Sequence, residues 1–589
     1  MATGCRCRRR RGPLIAAAAA AFLGLAPACL PADLLPPEPP LVCRANDDRP
    51  IPEPQELEEG NYIVWNGVDA MLFNQLEKAL DAGFLGRKIG AWLRLAGPKE
   101  AGDVNAIDEV PDSTWFVNRH AWQRMSLEDL RRGPNVAGGG PDAGGPLTIV
   151  EGKSGLQPGF QVEDRKGDRY IVKLDPALYP KLGTATEMIA SRFMYAAGYH
   201  VPEYYLIDID PARLAIAPQA TIRGRYNIER LMTPEDLREI LALAARSPED
   251  GTYRATASKF LPGKPKGPFP LVGVREDDPN DTVFHQDRRP LRGLRVVSAF
   301  LNNTDSRRGN YLDVYVGRNT TGHLVHYLLD FSACMGSGNI NPKEPKYGHA
   351  YLVDPEDIVM SFFSLGFWIK PWERPAQVTF ASAGSFRAED FDPEEWKPSY
   401  ANPMFQRMTD RDGFWAAVIV TSFSDRDIRA IVDTARYDEP ETARYVVDVF
   451  IARRDRIGRT WLDASRINPL DRFEVRARPE GSDLRWRDLS VERGYNSSAD
   501  TLYRYRLAAV IEGGRLTRRA SSWSTSARPG IPLSRQDRLL HLTRMPGATY
   551  VIDIRTSCDA GAHWSPRLLV YVSETPAGAL LVTGLRRDT

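Results

Sequence analysis

Two short stretches constrain this chain more than any others. They are Leu301-Asn-Asn-Thr-Asp305-Ser-Arg-Arg-Gly-Asn310 and Leu328-Leu-Asp330-Phe-Ser332. Residues 291–301 are apolar with helical spacing, including Val296, Val297, Phe300 and Leu301. Tyr311 to Val316 and His323 to Leu329 read as a hairpin around Gly317 and Gly322. Asp305 to Asn310 is therefore a loop at a helix-to-strand junction, and Asp330 closes an apolar strand. An aspartate at the end of a buried strand is costly unless it meets a cation or hydrogen-bond donors. The plainer alternative is a turn aspartate capping the next loop. Chemically, Asp305 can accept the proton of an attacking hydroxyl, and Asn310 and Asp330 can hold a divalent metal.

Upstream, Thr148 to Val150, Phe160 to Glu163 and Arg169 to Leu174 read as strands, the last two joined by the turn Asp164-Arg-Lys-Gly-Asp168. Thr184 to Ala197 reads as a helix stopped by Gly198, and Tyr204 to Asp208 as a further strand. Tyr170, Val172 and Leu174 share one face of their strand; Ile171 and Lys173 take the other. A strand lysine can reach nucleotide phosphates, and Glu187 in the next helix can fix it. The bland alternative is a surface lysine and a solvated glutamate. Gly152-Lys-Ser-Gly155-Leu-Gln-Pro-Gly159 lies between the first two strands. Glycines there allow backbone N–H groups close to phosphates, or simply make a hairpin turn. The spacing is not that of a Walker A loop. Arg307 and Arg308 can neutralise phosphate or pair with acids. His200, His285, His323, His326 and His349 show no metal-ligand spacing.

A chain of 589 residues exceeds one hydrophobic core, so about three to four domains are expected. Residues 1–28 have the arginine-rich start, the apolar run and the Ala26-Pro27-Ala28 site of an export signal. Cys29 follows directly, so acylation and membrane attachment through it stand beside plain secretion to the periplasm or beyond. The formal charge is +1, and −4 once the five arginines of residues 1–28 are gone. That balance argues against nucleic acid as a partner. Cys29, Cys43, Cys334 and Cys558 are widely spaced and form no CxxC pair, so there is no zinc-site signal and no disulfide scaffold is expected. Residues 29–60 read as a Pro-rich tether. Residues 61–146 read as a mainly helical segment, with apolar spacing over 70–95 and a capping-box start at Ser126. A Gly/Pro-rich boundary spans 133–145. Helix starts are expected at Thr233 and Ser424, and a long amphipathic helix over 441–462. From 471 to 589 the strands Phe473 to Arg478, Leu502 to Leu507, Tyr550 to Arg555 and Leu568 to Val572 point to a small all-β sandwich.

Lys173, Glu187, Asp305 with Asn310, and Asp330-Phe331 together resemble the atypical kinases with a protein-kinase-like fold, HipA-like and CotH-like kinases among them. Phrases such as Asp108-Glu-Val-Pro-Asp112-Ser-Thr-Trp-Phe116 and Arg292-Gly-Leu-Arg295 also resemble a group of exported bacterial proteins without an assigned activity. The resemblance implies an α+β chain with a two-lobed kinase-like domain over 147–470. It implies ATP and magnesium as cofactors: Lys173 on the phosphates, Glu187 holding it, Gly152, Gly155 and Gly159 over the nucleotide, Asp305 as base, Asn310 and Asp330 as metal ligands. Ser332 departs from the glycine of Asp-Phe-Gly, and the glycine loop departs from G-x-G-x-x-G. The expected function is phosphoryl transfer from Mg-ATP to a hydroxyl of a protein or small molecule. The alternatives are an inactive binding protein of the cell envelope, or a nucleotidyl transferase on the same fold.

Overall fold

The computed structural model describes residues 34–37, 41–57, 99–136, 138–142, 145–152, 157–223, 228–318, 320–352, 354, 363–364, 372, 378–479, 481–513, 515–533 and 547–589. The export-signal residues 1–28, Cys29, the helical spacing over 70–95 and Gly155 lie outside them. The chain is α+β. It divides into two compact units: Val42–Val104 with Val110–Thr460, and Met1–Leu41 with Asn105–Glu109 and Trp461–Thr589. Among the described residues no helix is long and apolar enough to cross a membrane.

The larger unit begins with α1 (Leu127–Arg132), whose Ser126 and Asp129 form a complete capping box. A sheet follows: β1 (Leu147–Gly152), β2 (Gly159–Glu163) and β3 (Arg169–Leu174), then helix α2 (Leu182–Ala197), β4 (Tyr204–Ile209), β5 (Leu214–Arg223), β6 (Glu229–Leu231), helix α3 (Pro234–Ala242) and β7 (Tyr253–Lys259). The strand order is β4-β7-β3-β2-β1-β5-β6. The pairing of β1 with β5 is parallel and the others are antiparallel. In the turn between β2 and β3, the Asp164 carboxylate accepts from the backbone of Lys166 and Asp168.

The two faces of this sheet are chemically distinct. Phe160, Val162, Tyr170, Val172, Leu174, Ala255 and Ala257 pack into one core with Ile240 of α3. Alternation sends Lys173 and Thr256 to the opposite face, where α2 lies against β3, β4 and β7. Asp175 sets the start of α2: its carboxylate accepts from the backbone of Gly183 and Thr184 and from the Thr184 hydroxyl, which fixes the register that delivers Glu187.

Gly159 stands directly opposite Lys173 in the β2–β3 pair. A Cβ there would lie 2.2 Å from the Val172 carbonyl oxygen. The replacement Gly159→Ala should therefore cost about 1–3 kcal/mol of unfolding free energy by overpacking, read by urea denaturation. An unchanged midpoint would contradict this geometry.

A short strand β8 (Lys264–Pro265) precedes helix α4 (Arg289–Leu301), then the hairpin β9 (Tyr311–Val316) and β10 (His323–Leu328). Helices α5 (Pro403–Gln406), α6 (Asp410–Ser422), α7 (Asp425–Val432) and α8 (Pro440–Trp461) complete the unit. Gly293 permits the close approach of α4 and α6, since a Cβ would meet the Trp415 ring at 2.7 Å. Its neighbour Arg292 is fully buried between Asp287, at 2.7 Å, and Asp412, at 3.3 Å. Trp115 stacks on His326, with ring centroids 3.4 Å apart, and His326 pairs with Asp313 at 2.6 Å. These two sequence phrases thus serve packing, and His285 and His326 are satisfied core residues.

The smaller unit holds β11 (Leu470–Arg478), β12 (Gly481–Asp488), helix α9 (Leu489–Glu492), β13 (Leu502–Glu512), β14 (Arg515–Arg519), β15 (Ser524–Ser526), β16 (Gly530–Pro532), β17 (Thr549–Ser557), β18 (Leu568–Glu574) and β19 (Leu580–Arg587). One sheet has the order β11-β12-β16, the other β14-β13-β17-β18-β19 with β15 also on β13. Leu484, Trp486 and Ile531 of the first share a core with Tyr503, Tyr505, Ile552, Ile554 and Val570 of the second.

Candidate active site

Lys173, the penultimate residue of β3, lies beneath α2 with its ammonium bonded to two carboxylates. It donates to Glu187 Oε1 and, at 2.7 Å, to Asp330 Oδ1. Glu187 is fully buried, and its Oε2 accepts from the Thr256 hydroxyl of β7. Burial works against the Lys173 charge, but Asp330 and Glu187 outweigh it and raise its pKa above the ordinary lysine value. The solvated-pair alternative is therefore not what the structure shows. Sequence reasoning did not find Thr256: β7 reads Tyr-Arg-Ala-Thr-Ala-Ser-Lys, too small and polar to announce a central strand.

Asp330 follows β10 with φ +53°, a left-handed conformation that aspartate tolerates better than most residues. Its Oδ1 also accepts from the Ser332 hydroxyl at 2.6 Å and the Ser332 amide at 3.3 Å. The serine in the glycine position thus orients the carboxylate toward Lys173. Phe331 is buried behind it.

Asp305 and Asn310 meet one another. The helix α4 ends at Asn302, itself left-handed at φ +49°, and the chain turns into the loop. Asn310 Nδ2 donates to the Asp305 backbone carbonyl at 2.7 Å. That bond engages the nitrogen end of the amide and leaves Oδ1 as the end able to meet a cation. The Leu329 amide donates to the Asn310 carbonyl at 2.8 Å, tying this loop to the strand that carries Asp330. The Asp305 carboxylate lies 3.2 Å from Arg307 Nε and is partly exposed. Arg308 instead donates to the Pro268 carbonyl at 3.3 Å.

Between Gly152 and Gly159, residues 153–156, Gly155 among them, lie outside the described residues. A Cβ on Gly152 would press on the Ile222 side chain at 2.8 Å, so this glycine, like Gly159, has a packing reason. Among the described residues no three His, Cys, Asp or Glu side chains gather to hold a metal alone. Magnesium commonly takes one or two carboxylates and completes its shell with phosphate oxygens and water. An Asn310 and Asp330 pair fits that mode.

No protein-family model matches the chain, and no curated protein does. Among solved structures, eight chains match. One is the Helicobacter pylori proinflammatory kinase CtkA, at 11% identity over 52% of this chain and 94% of that one, with a TM-score of 0.27. Another is the Golgi casein kinase with Mn/ADP bound, at 10% identity over 57% and 73%, with a TM-score of 0.27. A third is hydra Fam20 with sugar, at 10% identity over 51% and 95%, with a TM-score of 0.21. At these TM-scores the likenesses decide nothing about this chain.

Proposed function

We propose that the larger unit is a Mg-ATP-dependent phosphotransferase of the atypical kinase kind, two-lobed, exported, and followed by a β-sandwich. The observation that carries this reading is the Lys173 ammonium held between Glu187 and Asp330. A buried lysine fixed by a helix glutamate and reaching a metal-ligand aspartate is the arrangement that phosphate binding requires. Lys173 binds the nucleotide phosphates and offsets the charge that develops in transfer. Asp305 accepts the acceptor's hydroxyl proton while that oxygen forms its bond to the γ-phosphorus and the β–γ bridge breaks, its electron pair leaving with ADP. Asn310 and Asp330 would hold magnesium, which when bound neutralises phosphate charge. Thermal unfolding tests the reading. Mg-ATP at ~100 times its dissociation constant should stabilise the protein by ~2.7 kcal/mol. Asp330→Ala should lose that response. No shift of the unaltered protein at millimolar nucleotide would sink the reading.

A second reading has one observation behind it. Asp330 Oδ1 already takes donors from Lys173 and Ser332, so its charge is met within the protein, as it would be in an inactive kinase-fold binding protein. No thermal shift of the folded protein at millimolar Mg-ATP would favour it.

A further inference from the structure

The smaller unit carries a charged face that the phosphotransfer reading does not use. On the sheet β14-β13-β17-β18-β19, Tyr503, Tyr505, Ile552 and Ile554 enter the core shared with the other sheet. Alternation sends Arg504, Arg506, Asp553 and Arg555 to the outer face. The register of β13 on β17 sets Arg504 against Arg555 and Arg506 against Asp553. Two indoles lie over these side chains. The Trp523 centroid is 4.8 Å from the guanidinium carbon of Arg504, 4.5 Å from that of Arg506 and 5.6 Å from that of Arg555. The Trp564 centroid is 4.5 Å from that of Arg504. The loop that carries Trp523 is tied to β13: the Ser521 amide donates to the Leu507 carbonyl at 2.8 Å, and the Leu507 amide to the Ser521 hydroxyl at 3.1 Å. Trp523 is nevertheless 37% exposed.

Charge on this face is unbalanced. Asp553 is fully buried and serves both Arg506, at 3.2 Å, and Arg555, at 3.5 Å. Among the described residues no carboxylate stands within ion-pair distance of Arg504, and its Nε is buried without a hydrogen-bond partner. Burial, with Arg555 and Arg506 beside it, lowers the Arg504 pKa against the opposing pull of Asp553. Like charges directly across a strand pair are destabilising, and an anion resting on them relieves the cost. Three guanidiniums around one carboxylate make a local cationic patch on a chain whose formal charge is only +1.

The other end of the same face is covered by the N-terminal segment. Val551, Leu569 and Tyr571 form a small apolar cluster on which Leu34 packs, and the Tyr571 hydroxyl donates to the Leu35 carbonyl at 2.9 Å. Val551, Asp553 and Arg555 alternate along β17, so the cluster and the arginines share one face. Leu34 is five residues beyond Cys29. Five residues of chain reach at most about 18 Å. An acyl anchor at Cys29, which the sequence expects beside plain secretion, would therefore hold this face close to a membrane. Its chemistry suits that place: guanidinium groups pair with phosphate through two parallel bonds, and indole rings settle at the level of lipid headgroups.

We infer that this outer face docks on a membrane surface rich in anionic lipid, with Arg504, Arg506 and Arg555 on headgroup phosphates and Trp523 at the interface. The inference does not depend on the phosphotransfer reading.

The test takes residues 29–589 produced without acylation, so that the face acts alone, and sediments them with vesicles of phosphatidylcholine or of an equal mixture with phosphatidylglycerol. The unaltered protein should bind the anionic vesicles far better than the neutral ones and be released as salt rises. Removing charge by Arg504→Gln should weaken binding about fivefold, and adding Arg506→Gln about 25-fold in all. Bromine-labelled acyl chains should quench tryptophan fluorescence in the unaltered protein and much less in Trp523→Phe. Trp523 is exposed, so this variant keeps the test decisive should the arginine pair fail to fold. Four results would overturn the inference: no binding to anionic vesicles by the unaltered protein, equal binding to both kinds of vesicle, binding unchanged in the folded arginine variants, or quenching unchanged in Trp523→Phe. Retention of soluble polygalacturonate without vesicle binding would also overturn it, and would make the face one for an acidic polysaccharide.

Discussion

Asp305→Asn should lower phosphotransfer turnover by about 10²–10⁴-fold, the usual contribution of a positioned general base. The change is almost isosteric. The Asn310 bond goes to the backbone carbonyl of residue 305, not its side chain, so the loop should keep its shape. Thr304 and Ser306 are further anchored through the Ser399 amide and Asn402. What is lost is a carboxylate able to take a proton. Binding of Mg-ATP should survive, because Lys173, Glu187 and Asp330 are untouched. The measurement is single-turnover transfer from labelled ATP to an acceptor, alongside the nucleotide-induced thermal shift. Turnover within a few-fold of the unaltered protein would remove Asp305 from the chemistry. A lost thermal shift would instead place its role in nucleotide binding.

Sequence reading reached some parts of this molecule and not others, for physical reasons. The β2–β3 hairpin was legible because alternating apolar residues flank an Asp-x-x-Gly-Asp turn, and both signals are local. The faces of β3 followed from period-two alternation, so Lys173 could be assigned to the side opposite Val172. Helix α3 was legible through Thr233, Pro234 and Asp236, and its capping box is complete. Strand β5 was missed because Pro218 interrupts it; the register shift between Ile149 and Glu151 in its pairing with β1 accommodates the break. Helix α6 was missed because it is buried nearly all round, which erases an amphipathic period. Thr256 was missed because its significance comes from a contact over 69 residues of chain. No local pattern encodes such contacts. Ser332 was legible as a departure from a motif, but its bond to Asp330 was not.

Glu187→Ala should cost about 3 kcal/mol or more of unfolding stability, since removing one partner of a buried ion pair leaves the other charge behind. The setting is unforgiving. The Glu187 side chain is 1% exposed and that of Lys173 9%. The Thr256 hydroxyl would also lose its acceptor. The cost is moderated because Lys173 keeps Asp330, whose side chain is 39% exposed and can relax. Glu187→Gln preserves shape and one acceptor oxygen, so its loss should be smaller. The dependence on pH follows from the raised pKa of Lys173. A lysine whose folded pKa lies above its unfolded value adds stability fully present below the unfolded value, lost only as pH rises through the folded one. The difference between Glu187→Ala and the unaltered protein should therefore be flat from about pH 7 to 9, below the ordinary lysine pKa of ~10.4. Nucleotide affinity should fall in parallel, because a lysine drawn wholly to Asp330 leaves the phosphate-binding position proposed for it and occupies the carboxylate proposed to hold metal. Urea unfolding at several pH values, paired with Mg-ATP titration, separates the two effects. A variant within about 0.5 kcal/mol of the unaltered protein, a difference typical of surface substitutions, would mean that the Lys173–Glu187 pair is not a buried support of the site. Intact stability loss with unchanged nucleotide affinity would make Glu187 a fold residue alone.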